Sequence, residues 1–182
     1  MIKDIRYIGK YKKGKGIINI LNTVFSVPFL VVLLYRFSNG LFKINLYPLS
    51  KIVKLLNYLL FHIDIDPRAS LLGGVYIPHP INIVIGDNVY ISGNAKIMHG
   101  STLGGNLGRS KTCNQEEIFQ PHFYGNAYIG INSTVIGPID FYGNTFIAAT
   151  SLVTKGEYKN CLVTGNESRR DLSELLLHEM RV

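Results

Sequence analysis

Apolar residues recur at every sixth position in the C-terminal two-thirds of this chain, and this period predicts a parallel β-helix of hexapeptide coils. Small or β-branched residues follow most of these anchors by four positions, and turn-forming pairs such as Gly93-Asn94 and Gly143-Asn144 lie between them. Each hexapeptide makes one short strand and one turn, three make a triangular coil, and coils must stack to bury the anchors. An antiparallel sheet would show a period of two. The anchors are Ile65, Leu71, Ile77, Ile85, Ile91, Ile97, Leu103, Phe123, Ile129, Val135, Phe141, Ile147 and Val153.

Two interruptions of the six-residue period mark where function is expected. From Ile77 to Ile85 the step is eight residues, so two extra residues bulge out of the coil near His79. From Leu103 to Phe123 the step is twenty residues, and the polar, glycine-rich stretch between them predicts an excursion loop over residues 104–122. Binding and catalytic groups concentrate where loops leave a rigid scaffold.

The pattern divides the chain into three parts. These are a basic, apolar α-helical segment over residues 1–60, the β-helix over 61–167, and a short helix over 168–182. Residues 17–35 carry no charge, but Pro28 and several polar side chains argue against a membrane span, and no small-residue cleavage site follows for a signal peptide. Helical pieces broken near Pro28, Asn39-Gly40 and Pro48 are expected instead, either as a cap on the β-helix or in peripheral contact with a membrane.

The positive charge of the chain is concentrated in residues 1–60. This segment holds ten Lys or Arg residues and one acid, a net charge of +9, and the remainder carries −2. Solvated lysines and nucleic-acid binding are alternative interpretations. Attraction to anionic lipid head groups, worth about 1 kcal/mol per basic residue near the surface, suits a segment that is also strongly apolar. We therefore expect peripheral membrane contact and no nucleic-acid partner.

The cysteine content points to a reducing compartment. Cys113 and Cys161 are too few and too far apart for a disulfide framework. This fits a cytoplasmic protein, held on the inner face of the membrane if the N-terminal segment docks there. Neither cysteine lies beside a Cys/His pair at metal-ligand spacing, so no metal is expected.

Asp64 and His79 form the candidate catalytic pair. They are fifteen residues apart, which is nearly one turn around a triangular coil, so they are expected to meet on adjacent layers. A carboxylate bonded to one imidazole nitrogen fixes the tautomer and leaves the other nitrogen as a base, which can take a proton from an alcohol attacking a thioester. A turn histidine bonded to the backbone is the alternative.

The stretches IDIDPRA, GGVYIPHPINIVIGDNVYI and HGSTLGG resemble the serine O-acetyltransferase branch of the hexapeptide-repeat acyltransferases. The family pattern places DIHP fifteen residues before a catalytic His, then IVIGE, then VTLGG. This chain matches it without a gap from Asp64 to Gly105, and the resemblance extends over about residues 60–167. It implies a left-handed β-helix, an exception to the usual right-handed crossover.

The resemblance implies an acetyl-CoA-dependent O-acetyltransferase, active as a homotrimer with the donor held between two subunits. His79 would be the general base, Asp64 would orient it, and transfer would be direct. The pantetheine arm would meet Gly104, Gly105, Ile131 and Ala149, and Lys155 would reach a phosphate unless it is simply solvated. The candidate acceptor-contacting residues are His99, Asp87 and His122.

Departures from the family pattern bear on the acceptor. Asp66 replaces the His of DIHP, Asp87 replaces the Glu after IVIG, and Phe119-Gln120 stand where an Arg-His pair holds the serine carboxylate. The stretch LLYRFSNGLFK also resembles acetyltransferases of capsule and exopolysaccharide clusters. We therefore expect a carbohydrate hydroxyl as the acceptor, with serine acetylation as the alternative. A non-catalytic β-helix that serves as an assembly module is the second alternative.

Overall fold

The computed structural model describes residues 1–106, 108–113, 116–165 and 168–171. It confirms a parallel β-helix of about five coils behind an N-terminal helical region. All thirteen predicted anchors belong to one buried core cluster. The small or β-branched residues that follow most anchors by four positions are buried too, including the polar Ser101, Ser133, Thr145 and Ser151. The six-residue period therefore identified the interior of the prism.

The coils are built from short strands that follow one another around the prism. The first three coils contain β1 (Ile63–Ile65), β2 (Ser70–Leu71), β3 (Val75–Tyr76), β4 (Ile83–Ile85), β5 (Tyr90–Ile91), β6 (Ala95–Ile97), β7 (Thr102–Gly104), β10 (His122–Tyr124) and β11 (Ala127–Ile129). The last two contain β12 (Thr134–Ile136), β13 (Asp140–Ile147), β14 (Leu152–Val153) and β15 (Glu157–Thr164). Strands β13 and β15 are long because each continues around a corner.

Stacking of equivalent strands gives the prism its faces. One face, which we call the front face, is a parallel sheet in the order β1-β4-β7-β12-β14. Ile85 pairs with Leu103 eighteen residues later, whereas Leu103 pairs with Val135 thirty-two residues later. The extra residues are the excursion, in which β8 (Lys111–Cys113) and β9 (Glu116–Ile118) form an antiparallel hairpin. The predicted loop 104–122 is thus shorter than expected, because Gly104 and His122 belong to strands of the coil.

One corner of the prism is a stack of glycines followed by a stack of asparagines. A Cβ on Gly73 would lie 1.9 Å from the Gly93 carbonyl oxygen, and one on Gly125 would lie 2.0 Å from that of Gly143. Gly93, Gly125 and Gly143 are each followed by an asparagine that bonds the next layer: the Asn94 N–H donates to Asn126 Oδ1 (2.8 Å). Only glycine lets the layers approach this closely.

The C-terminal segment differs from the prediction where it is described. Residues Ser168–Asp171 form β16, which pairs antiparallel with β15, so the predicted helix over 168–182 does not begin at 168. The β15 edge offers unpaired backbone groups, and the chain satisfies them by folding back. Residues 172–182, which include the predicted apolar face of Leu172, Leu175, Leu176 and Met180, lie outside the described residues.

Four helices precede the coils. They are α1 (Ile2–Gly9), α2 (Gly16–Val24), α3 (Val27–Lys43) and α4 (Tyr47–Phe61). The predicted breaks at Pro28 and Pro48 are confirmed, and Pro28 sits in the first turn of α3, where its missing N–H costs nothing. The predicted break near Asn39-Gly40 is wrong, because both residues lie inside the continuous helix α3. No helix of the described residues is by itself long and apolar enough to span a bilayer, although α2 and α3 together have sufficient length and composition and are bent by 65° to one another.

Helix α3 joins the helical region to the first coil. The Tyr35 hydroxyl donates to the Ala69 carbonyl (2.8 Å), and Val31 and Val32 are part of the β-helix core. Arg36 donates two hydrogen bonds to the fully buried carboxylate of Asp4 on α1 and one to the Gly73 carbonyl. These contacts confirm a helical cap, which was one of the two predicted roles of the segment.

Candidate active site

His79 lies where the coil bulges, at a corner formed by residues 78–82, 98–100, 130–132 and 148–150. We call this the His79 corner. The Ile81 N–H donates to the His79 carbonyl (2.9 Å), and the Asn82 N–H donates to the carbonyl of His62 at the end of α4 (3.0 Å). Asn82 adopts the left-handed region at φ 52°, which asparagine tolerates well. The chain thus leaves the stack and rejoins it, and the imidazole of His79 is exposed.

Asp64 does not contact His79. It is the outward residue of β1 on the front face, and Lys54 Nζ of α4 lies 2.7 Å from its Oδ1. Among the described residues no hydrogen bond or ion pair joins Asp64 to His79, so the predicted pairing is not formed in this structure. The reason is that α4 brings an ammonium group to the carboxylate, a contact that coil spacing alone does not reveal.

The layers behind His79 carry three of the other predicted residues. The His99 ring is centred 5.9 Å from that of His79 at 79°, and its buried Nδ1 has no hydrogen-bond partner among the described residues. Ile131 and Ala149 follow on the next two layers, where the Asn132 N–H donates to the His99 carbonyl and the Thr150 N–H to that of Ile131. Within the described part of the chain, the N–H groups of Ile131 and Ala149 donate to no other group. They are free to donate to carbonyls of an extended ligand.

Gly104 and Gly105 lie at the opposite edge of the front face. A Cβ on Gly104 would meet nothing closer than Ile136 Cγ2 at 3.9 Å, so this residue faces open space. A Cβ on Gly105 would lie 3.0 Å from Gln120 Nε2. Gly105 is therefore explained by the packing of Gln120, whereas Gly104 keeps the surface open to a ligand. Lys155, in the turn after β14, is exposed.

A chain of charged and amide groups crosses this second edge. Asp66 accepts from Arg68 Nε (2.9 Å), Arg68 Nη1 lies 3.2 Å from Asp87 Oδ2, and Gln120 Nε2 donates to Asp87 Oδ1 (2.8 Å). Burial raises the pKa of Asp66, but the Arg68 hydrogen bonds and the charges of Arg68 and Lys54 outweigh it, so its pKa lies below the usual value. Both oxygens of Asp87, a predicted acceptor contact, are engaged by protein groups.

A cavity of about 340 Å³ opens beside this chain of groups. Its lining combines carboxylates, amides and aromatic rings: Ser70, Asp87, Asn88, Tyr90, Glu117, Ile118, Phe119, Gln120 and His122. His122 Nδ1 lies 3.3 Å from the Tyr124 hydroxyl. Burial and the nearby Lys111 ammonium lower the pKa of His122, although Asp140 acts in the opposite sense. His122 thus presents a neutral imidazole to the cavity near pH 7.

The predicted site residues therefore flank the front face rather than share one pocket. His79, His99, Ile131 and Ala149 lie along the edge where its strands begin, and Gly104 lies where they end. A three-residue strand spans about 10 Å. Lys54 and Arg68 were not among the predicted site residues, although Arg68 stands within the stretch IDIDPRA. Among the described residues no group of three His, Cys, Asp or Glu side chains could hold a metal ion.

The fold and this arrangement define a hexapeptide-repeat β-helix with an exposed histidine at a bulged corner. No family model matches the chain. A putative serine acetyltransferase of Schizosaccharomyces pombe is 29% identical over 136 residues, which are 75% of this chain and 48% of the relative. The serine acetyltransferase of Buchnera aphidicola subsp. Schizaphis graminum is 33% identical over 121 residues, 66% of this chain and 44% of the relative. The chain thus spans about half the length of these curated relatives.

Solved structures agree on the fold. The serine acetyltransferase of Neisseria gonorrhoeae in complex with serine superposes with a TM-score of 0.77 at 23% identity, covering 93% of this chain and 66% of that one. The serine acetyltransferase of Brucella abortus in complex with coenzyme A superposes with a TM-score of 0.76 at 23% identity, covering 94% of this chain and 65% of that one. Both comparisons thus support a resemblance to the hexapeptide-repeat acyltransferases of the serine O-acetyltransferase type. The resemblance drawn from its motifs is confirmed.

Proposed function

We propose that this protein transfers an acetyl group from acetyl-CoA to a hydroxyl, with His79 as the general base. The observation that carries the proposal is the exposed imidazole on the two-residue bulge at the edge of the front face. A ring nitrogen of His79 takes the hydroxyl proton as the oxygen attacks the thioester carbonyl carbon. The carbon–sulfur bond then breaks, and the coenzyme A thiolate leaves and takes the proton from His79, which restores the neutral base.

The surface beside His79 suits an extended donor. The N–H groups of Ile131 and Ala149 are placed one layer apart along the His79 corner and can donate to the amide carbonyls of a pantetheine arm. Gly104 leaves the far edge of the face uncovered. Structures of related serine acetyltransferases contain coenzyme A, which supports acetyl-CoA as the donor here. We also propose a homotrimer; light scattering would then give three times the 20.4 kDa chain mass.

The ion pair between Asp64 and Lys54 must break before Asp64 can orient His79. Its Oδ1 is held by Lys54, and the carboxylate is on the exposed front face. Catalytic hydrogen bonds commonly tighten only when substrate is bound. In this proposal Asp64 turns toward His79 in the ternary complex, and Lys54 sets how readily it does so.

L-Serine is the acceptor that the comparisons support best. The relatives and the superposable structures are named serine acetyltransferases, and one of those structures contains serine. This favours L-serine, the alternative acceptor predicted from the sequence, over the carbohydrate hydroxyl that was expected first. No comparison supports polysaccharide biosynthesis.

A carbohydrate hydroxyl is retained as a second candidate because of the cavity beside Gln120. Gln120 is nearly buried and bonded to Asp87, and Phe119 is exposed, so neither supplies a cation for an amino-acid carboxylate. The cavity instead offers carboxylates, amides and the Tyr90 ring, groups that can bond hydroxyl pairs and pack on the apolar face of a sugar ring.

A competition between acceptors tests both candidates. Free coenzyme A thiol is measured with acetyl-CoA and either L-serine or a panel of mono- and oligosaccharides. Serine turnover at least about tenfold above every sugar supports the first candidate, and the reverse order supports the second. Under the second candidate, Phe119→Ser lowers sugar turnover and leaves any serine turnover unchanged. Thiol release that no acceptor accelerates would contradict both.

A further inference from the structure

Helices α3 and α4 each expose a stripe of apolar side chains that does not pack against the β-helix. On α3, Val31, Val32 and Tyr35 are buried, and the opposite side is exposed. Helix α4 runs antiparallel beside it, since Ser38 bonds Ser50 and Asn57 bonds the Val31 carbonyl. The two exposed stripes therefore run alongside one another. They consist of Val27, Leu30, Leu33, Phe37, Leu49, Ile52, Leu55, Leu56, Leu59 and Leu60.

Helix α2 is even less covered. Thr23 is its single buried residue. Ile17 is 73% exposed, and Phe25, directly after the helix, is 81% exposed. Together with the stripes of α3 and α4 these side chains form what we call the apolar helical surface. Soluble monomers seldom expose this much apolar area in one segment without a partner.

The charges around the apolar helical surface identify the partner. Residues 1–60 carry ten Lys or Arg residues and one acid, Asp4, which is fully buried against Arg36. Every exposed side-chain charge of this segment is therefore positive. Lys12, Lys13 and Lys15 lie together in the loop before α2, which Asn19 and Asn22 hold through its carbonyl groups. A second copy of the chain would bring the same positive charge against this surface, whereas an anionic surface would complement it.

The geometry indicates a segment that lies on a bilayer and does not cross it. Helices α2 and α3 are bent by 65° to one another, and neither alone has the length of a span. Apolar side chains on one side with lysines around them are typical of helices in the plane of the membrane interface. We propose that the apolar helical surface docks on an anionic lipid bilayer, which would hold the β-helix and the His79 corner at the membrane surface.

Vesicle flotation of the full chain tests this docking. Vesicles of phosphatidylcholine alone are compared with vesicles containing about one-third phosphatidylglycerol, at low and high salt. Binding is expected to the anionic vesicles and to weaken with salt. A triple variant that removes apolar side chains, Phe25→Ser/Phe37→Ser/Leu59→Ser, should weaken binding to the anionic vesicles at least about tenfold. A triple variant that reverses charges, Lys12→Glu/Lys13→Glu/Lys15→Glu, should weaken that binding about 100-fold.

Matched controls separate docking from general stickiness and from unfolding. Leu72→Ser/Leu152→Ser removes exposed apolar side chains from the β-helix itself and should leave vesicle binding unchanged. Circular dichroism checks that each variant is folded. If the apolar triple variant does not fold, the lysine triple variant still tests the proposal. Absence of binding to anionic vesicles would overturn the proposal. So would a fall in oligomer mass in the Phe25 variant without loss of vesicle binding, because a second copy would then cover this surface.

Discussion

Replacing Gly125 by alanine should separate two layers of the β-helix. The new Cβ would lie 2.0 Å from the Gly143 carbonyl oxygen, about 1 Å closer than atoms at such positions approach one another, and backbone cannot rotate away as a side chain can. Opening these two layers would weaken the bonds that cross between them at this corner, among them Thr145 N–H to the Asn126 carbonyl and Asn126 Nδ2 to Asn144 Oδ1. At about 1 kcal/mol for each bond, plus the strain of overpacking, the loss is about 3 kcal/mol or more.

Thermal unfolding measures this loss. For a chain of this size, about 3 kcal/mol lowers Tm by roughly 6–12 °C. Gly40→Ala is the matched control, because a Cβ on Gly40 meets nothing within 4 Å and the residue lies inside α3. That variant should be more stable by about 0.5–1 kcal/mol. A Gly125→Ala protein with unchanged Tm would refute the reasoning that contact between glycines sets the spacing of the coils.

Two further predictions concern charged groups. Burial raises the pKa of Asp4, but Arg36 and the Val75 N–H outweigh it and hold the pKa below its usual value. Its stabilisation is therefore present above about pH 4 and is lost as pH falls. Asp4→Asn should lower the free energy of unfolding by about 3 kcal/mol at pH 7, and by less in acid. Urea unfolding measures this difference between the variant and the native chain, and a difference that does not change with pH would contradict the prediction. Lys111→Met should raise the pKa of His122, and an NMR titration of His122 without an upward shift would contradict the assigned cause.

The fold was predictable because one physical requirement repeats along the chain. Each layer must bury its anchor, so Ile85, Leu103 and Val135 reveal the same column of the core. The excursion was predictable as an interruption, but its length was overestimated, because Gly104 and His122, which end β7 and begin β10, are residue types that do not by themselves predict a strand. The strand at Ser168–Asp171 was missed because pairing with β15 overrides a helical pattern.

The site was only partly predictable for a related reason. His79 was found because the bulge breaks a strict period. The Lys54–Asp64 ion pair joins a helix to the first coil, and no repeat encodes that contact. Likewise, Gln120 comes to lie against Gly105 and Asp87 only because the hairpin of the excursion folds back toward the coil.

Steady-state acetyl transfer by a His79→Ala variant tests the central claim most directly. The assay uses acetyl-CoA and whichever acceptor the wild-type protein acetylates, with His62→Asn as the control, since His62 is also exposed and asparagine tolerates its left-handed backbone. Loss of a general base predicts a fall in kcat of about 100-fold or more, with coenzyme A binding retained and the control near wild type. Transfer that continues at the wild-type rate without the imidazole would contradict the account and favour a β-helix that serves as an assembly module.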